Sequence, residues 1–216
     1  NSNTRHLYNK LISNKKTDFS RYNYFYASYI ASSKNIDEAK NIIKDALKIY
    51  PRNLLLNQYL IDLNEKKNIN TFNCIKENHV ISEILYITAN ALSSQSAYPL
   101  SNFYLNLAKY LNKDFHSYDT LLAENFYKIN NFKKAKKIYK NLSKKGDAFK
   151  WYATKQLARI FVQEENKNKA IKLVTEVYND LEVRDIYETF DFAEFLKNNE
   201  KFQDSIYHYT NIINKI

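Results

Sequence analysis

Five alanines, Ala27, Ala89, Ala123, Ala158 and Ala193, mark off this chain at nearly even intervals. From Ala89 onward they stand 34, 35 and 35 residues apart, after a first step of 62. Twelve residues after each comes a second small residue: Ala39, Ser101, Ala135, Ala170 and Ser205. Small side chains let two helices approach closely, because the side chains at the contact set the distance between helix axes. A fixed period near 34 is the mark of stacked helix pairs, each burying an apolar face on its neighbours. Arrays of this kind usually hold other proteins and do no chemistry of their own.

Reading outward from the alanines completes the pattern. One residue earlier stand Tyr26, Thr88, Leu122, Leu157 and Phe192, and three later stand Ile30, Leu92, Phe126, Phe161 and Leu196. These give an i, i+1, i+4 stripe on a first helix. Sixteen residues after each alanine come Ile43, Leu105, Tyr139, Val174 and Tyr209, and nineteen after come Ala46, Ala108, Leu142, Val177 and Ile212, the apolar face of a second helix. Short polar turns separate the two: Ser33-Lys34-Asn35, Ser93-Ser94-Gln95, Asn130-Asn131, Glu165-Asn166 and Asn198-Asn199. Asn35 with Glu38 three residues on reads as a helix N-cap, Asp37 and Glu38 favour the positive end of that helix, and Pro51 stops it.

Composition narrows the function. One glycine, Gly146, and two prolines, Pro51 and Pro99, in 216 residues leave helix throughout and no hairpins or sandwiches. Phosphate-cradling loops need several glycines, so neither a P-loop nor a dinucleotide fingerprint can be written here. Cys74 is the single cysteine, which excludes an intrachain disulfide; it carries no information about compartment, cytoplasm and periplasm included, and is read as a half-buried apolar residue. No apolar run is long enough for a transmembrane helix, and the N-terminus opens no signal-peptide pattern. The chain has no methionine and reads as a piece of something longer. Its formal net charge is +10, but arginine occurs only at Arg5, Arg21, Arg52, Arg159 and Arg184. Lysine is abundant together with Asn, Ile, Tyr and Phe, all with AT-rich codons, so codon bias accounts for the charge and argues against nucleic acid as the partner.

The pattern resembles the tetratricopeptide repeat (TPR) family, and in particular the tandem repeats of long bacterial TPR proteins. The clearest copy runs from Phe25-Tyr26-Ala27-Ser28-Tyr29-Ile30 through Asp37-Glu38-Ala39-Lys40 to Ala46 and Pro51. The family's glycine at its eighth position is alanine here, and its position-four tryptophan is absent. The resemblance implies an all-α, TPR-like right-handed α-solenoid of about five or six antiparallel helix pairs in one domain over 1–216. A lone leading helix is expected over 4–16, repeats over 20–51, 81–113, 116–147, 150–181 and 185–216, and a degenerate repeat over 53–80. Within the degenerate repeat, 67–78 reads as a short or broken second helix. Ile206, Tyr209, Ile212 and Ile213 form an apolar face on the last helix with no capping helix after it; either more chain follows, or this face packs on a partner, self-association through that helix included.

No catalytic, metal or cofactor site is expected. His6, His79, His116 and His208 have no ligand-spaced companion and read as surface or half-buried residues. Cys74 and His79 lack a third group for a nucleophilic pair. Asp185 with Glu188, and Asp191 with Glu194, read as solvated carboxylates. The resemblance implies a peptide-binding groove lined by the first helices at family positions two, five, nine, twelve and thirteen. Here these give Arg21, Tyr24 and Ser28; Glu83, Tyr86 and Asn90; Thr120, Glu124, Tyr127 and Lys128; Tyr152, Lys155 and Arg159; and Tyr187, Phe190 and Glu194. Tyrosine and arginine are the types that make binding hot spots. The family's carboxylate clamp is not supported, since Asn90 and Lys155 fall two repeats apart. Lys133, Lys134, Lys136, Lys137 and Lys140 read as a solvated outer face, with an acidic partner or anionic lipid as the sharper reading. The leading function is a non-enzymatic scaffold for a protein or peptide partner. The alternatives are a polyanion binder, for RNA or anionic lipid, and a structural spacer in a larger assembly protein.

Overall fold

The computed structural model describes residues 2–13, 18–67, 72–182 and 184–215. Among them are twelve α-helices and no strand: α1 (Ser2–Ile12), α2 (Ser20–Ser32), α3 (Ile36–Ile49), α4 (Leu54–Asn64), α5 (Glu77–Ser94), α6 (Tyr98–Leu111), α7 (Ser117–Lys128), α8 (Phe132–Leu142), α9 (Asp147–Gln163), α10 (Lys167–Asp180), α11 (Ile186–Asn198) and α12 (Phe202–Ile213). Contacts divide the chain into two compact units, residues 1–138 and 139–216.

The small residues lie where helices meet. Ala27, Ala89, Ala123, Ala158 and Ala193 are completely buried, as are Ala39, Ala135 and Ala170. Where the second small residue is serine, its hydroxyl finds an acceptor twelve residues back. Ser101 Oγ donates to the Ala89 carbonyl at 2.7 Å, and Ser205 Oγ to the Ala193 carbonyl at 2.8 Å. A buried hydroxyl satisfied this way avoids the desolvation penalty of an unpaired one.

The turns are made without glycine. Lys34, Ser96, Asn130, Glu165 and Glu200 take φ of 64°, 62°, 57°, 60° and 66°. Each stands seven residues after a register alanine. The next residue's N–H then reaches back to close the helix: Ala97 to Leu92 O at 2.9 Å, Asn131 to Phe126 O at 2.8 Å, Asn166 to Phe161 O at 2.8 Å and Lys201 to Leu196 O at 2.9 Å. This is the left-handed helix stop in which the carbonyl three residues before the cap is satisfied. In the second turn Ser93 and Ser94 belong to α5 rather than to the turn, and Ser96 makes the break.

In residues 1–138, α2 pairs with α3 and α5 with α6, while α3 packs on α4 and α6 on α7. The N-cap expected at Asn35 forms, accepting from Glu38 N at 3.3 Å. Arg5 of α1 reaches the same Glu38 with two bonds of 2.8 and 3.1 Å, and Tyr8 stacks on Tyr26 at 5.1 Å. Expected residues 14–16 of the leading helix lie outside the described residues, as do 68–71 of the degenerate repeat. Among the described residues no helix stands between α4 and α5, and α5 already begins at Glu77. Cys74 is exposed, not half-buried, since it sits in the turn before α5 and on no helix face.

In residues 139–216, α9 pairs with α10 and α11 with α12, and α10 packs on α11. Tyr178 stacks on Phe192 at 4.1 Å and donates to Thr189 Oγ1 at 3.1 Å. Asp185 caps α11, accepting from Tyr187 N and Glu188 N at 2.6 and 3.1 Å, while Glu188 accepts from Asp185 N at 3.2 Å. Glu188 is therefore half-buried and locked, not a solvated carboxylate. Burial first, then the hydrogen bond and charge of Asp185, push its pKa from 4.5 up to about 7.

Candidate functional site

The TPR resemblance places the expected groove residues on the first helices, and the structure sorts them by burial and partner. In residues 1–138, Arg21 of α2 and Glu83 of α5 find each other rather than a ligand. Arg21 Nε donates to Glu83 Oε1 at 2.5 Å and Nη2 to Oε2 at 2.7 Å. Their side chains are only 19% and 10% exposed. The guanidinium lies 3.9 Å from the Tyr86 ring centroid and 4.8 Å from that of Phe115, both within cation–π range. Burial works against the Arg21 charge, but the hydrogen bonds and charge of Glu83 outweigh it and raise the pKa. Burial likewise raises the Tyr86 pKa, although the Arg21 charge opposes the shift.

Tyr24, Ser28 and Tyr127 are buried and offer no surface to a ligand. Tyr24 packs edge-on against Tyr59 at 4.7 Å and stacks on Phe115 at 5.5 Å, so it belongs to the core. Ser28 Oγ donates to the Phe72 carbonyl at 3.4 Å, and the Tyr127 ring lies 5.6 Å from Phe132. Asn90, Glu124 and Lys128 are exposed; Thr120 is half-buried and donates to the Ser117 carbonyl at 2.7 Å.

In residues 139–216 the expected residues stand on two successive first helices. α9 carries Tyr152 and Lys155, both half-buried, and exposed Arg159; α11 carries exposed Tyr187 and Phe190 and half-buried Glu194. Lys155 bridges the helices by an ion pair to Asp191, and its ammonium sits 5.6 Å from the Trp151 ring centroid. Phe190 packs edge-on against Tyr209 at 5.7 Å, and Glu194 makes a loose pair with Lys197 at 4.0 Å. Asp191 is a member of this surface that the sequence reading assigned only to a solvated pair; its place 36 residues after Lys155, one repeat on, was the available signal.

Beside it, α9 and α10 enclose a cleft of about 570 Å³. Leu157, Phe161, Leu173 and Val177 form its apolar part, with Lys140, Lys150, Lys169 and Lys172 among its lining. Two of these lysines already have carboxylate partners: Lys150 pairs with Asp180, and Lys172 with Glu176 at 3.8 Å. Among the described residues no group of three or more His, Cys, Asp or Glu is placed to hold a metal, and no helix is long and apolar enough to cross a membrane.

No family model matches the chain, and no curated protein matches it. Solved structures do. The chain is similar to the nearly identical TPR-like repeats of a Podosopora anserina protein described as a kinesin light chain, seen in two crystal structures. One, a substituted form, aligns at 10% identity and a TM-score of 0.51 over 90% of this chain and 92% of that one. The other aligns at 10% identity and a TM-score of 0.50 over 92% and 96%. The fold is that of the TPR-like helical repeat proteins, all-α, as the alanine register implied.

Proposed function

We propose that the chain is a non-enzymatic scaffold that holds a protein or peptide segment on the first-helix face of α9 and α11. The observation that carries this reading is the Lys155–Asp191 ion pair, which links α9 to α11, with Arg159 exposed on the first helix and Tyr187 and Phe190 exposed on the second. Aromatic area and a guanidinium on a rigid scaffold make the type of surface in which a few side chains supply most of the binding energy. The residues expected on α2, α5 and α7 contribute less, because Arg21, Glu83 and Tyr86 are spent on one another and Tyr24, Ser28 and Tyr127 are buried. Extended and helical ligands both fit such a face. No contact among the described residues favours a polyanion on the lysine faces or a spacer role.

The test uses surface residues only. Replacing Arg159, Tyr187 and Phe190 together by alanine is expected to abolish capture of partners from the native organism, read by pull-down and mass spectrometry. The far-UV circular dichroism is expected to stay unchanged. Capture that survives the triple replacement would discard this face.

A further inference from the structure

Both helices of the α5–α6 pair present apolar stripes to water, in a stretch almost free of charge. On second helices the positions two and six past the small residue face water. On α3, α8 and α10 they hold Asn41 and Asp45, Lys137 and Asn141, and Lys172 and Glu176, all exposed; on α12 they hold exposed Tyr207 and half-buried Asn211. On α6 the same positions hold Phe103 and Leu107, 57% and 38% exposed, and Leu100 and Tyr110 extend the stripe at 48% and 75%.

α5 carries a second stripe. Ile81, Ile84 and Ile87 are 47%, 58% and 49% exposed. Their equivalents 34 residues on, Phe115, Tyr118 and Leu121, are buried. The preceding second helix, α6, packs on α7, and Asn125 of α7 donates to Ser101 Oγ and Asn102 Oδ1 of α6 at 2.8 and 2.9 Å. Phe115 is buried against Tyr24, Phe25 and Phe72, and Tyr118 against Ser82 and Tyr86, whereas Ile81, Ile84 and Ile87 are open to water.

We infer that the α5–α6 face is where a second copy of this chain docks, α5 against α5 in antiparallel register. Charge selects the occupant. The chain carries +10, yet between residues 78 and 108 the only charged side chain is Glu83, already paired with Arg21. Two cationic copies meet here without setting like charges against each other, whereas an acidic peptide or an anionic lipid surface would find no lysine on this face. Spacing selects the orientation. Val80, Ile84, Ile87 and Ala91 are separated by four, three and four residues, an apolar seam that reads the same in both directions. A two-fold axis between Leu85 and Tyr86 sets Val80 against Ala91 of the partner subunit, Ile84 against Ile87 of the partner subunit, and Glu77 against uncharged Ser94 of the partner subunit. Such a self-matching patch is what a closed dimer requires. The α6 stripe widens the contact toward the about 800 Å² per partner of a standard interface.

Sedimentation equilibrium of the chain over micromolar concentrations at physiological salt tests this. A dimer is expected. Ile84→Asp with Phe103→Asp, both at exposed positions, is expected to weaken it by at least about 100-fold with helicity unchanged, the size of a lost hot-spot pair. Ile206→Asp on α12 is expected to leave it intact. A wild-type monomer throughout the range, or a dimer that survives Ile84→Asp with Phe103→Asp, would overturn the inference.

Discussion

At the scale of single residues, the least exposed charges decide the most. Arg21 and Glu83 are held by two short hydrogen bonds under aromatic rings, so removing one strands the other away from water. Glu83→Ala is expected to lower the unfolding free energy by about 3–5 kcal/mol. Joint replacement, Arg21→Met with Glu83→Leu, is expected to recover most of that loss; urea unfolding of the three forms measures both. Glu188 gives a pH signature. Its folded pKa of about 7 lies above the ordinary 4.5, so the folded chain keeps a proton that the unfolded chain releases first. Stability from this group is complete below pH 4.5 and is lost as pH rises through 7. Thermal unfolding of Glu188→Gln against the parent at several pH values is expected to show the parent declining more steeply across that window.

At the scale of elements, the recurring left-handed stop explains how pairs form in a chain with one glycine. A side chain with a Cβ in that conformation costs roughly 1–2 kcal/mol, which glycine avoids while losing more chain entropy. Glu165→Gly and Glu200→Gly are each expected to raise stability by about 0.5–1 kcal/mol in chemical denaturation. Legibility divides along the same lines. The helix pairs were readable because their determinants are local: a small residue, a stripe three and four residues away, a turn seven residues on. The N-cap at Asn35 was readable for that reason. The capping box at Asp185 and Glu188 was also local, but two acidic residues three apart look the same on a solvated face as at a helix start.

At the scale of the whole molecule, the candidate site was half legible. The resemblance put Tyr152, Lys155, Arg159, Tyr187, Phe190 and Glu194 on successive first helices, and none of the six is buried in the core. Register could not foresee that Arg21 would be consumed by Glu83, because 62 residues and the break in the repeat period separate them. Tyr24 was misjudged for the same reason: Tyr59, Phe72 and Phe115 gather around it and Phe25 from three segments distant in sequence. The apolar face of α5–α6 lies in a run of residues almost without charge, and its exposure, which composition does not give, is what makes it a surface.

The Arg21–Glu83 pair also bears on how the chain comes apart. In an array where each unit touches only its neighbours, melting can begin anywhere and spread unit by unit, like a zipper opened from any tooth. A bond that leaps from α2 to α5, past α3 and α4, removes that freedom locally. The segments it encloses are gained or lost in one event, so the weakest-looking part of the sequence is sheltered by its stronger flanks.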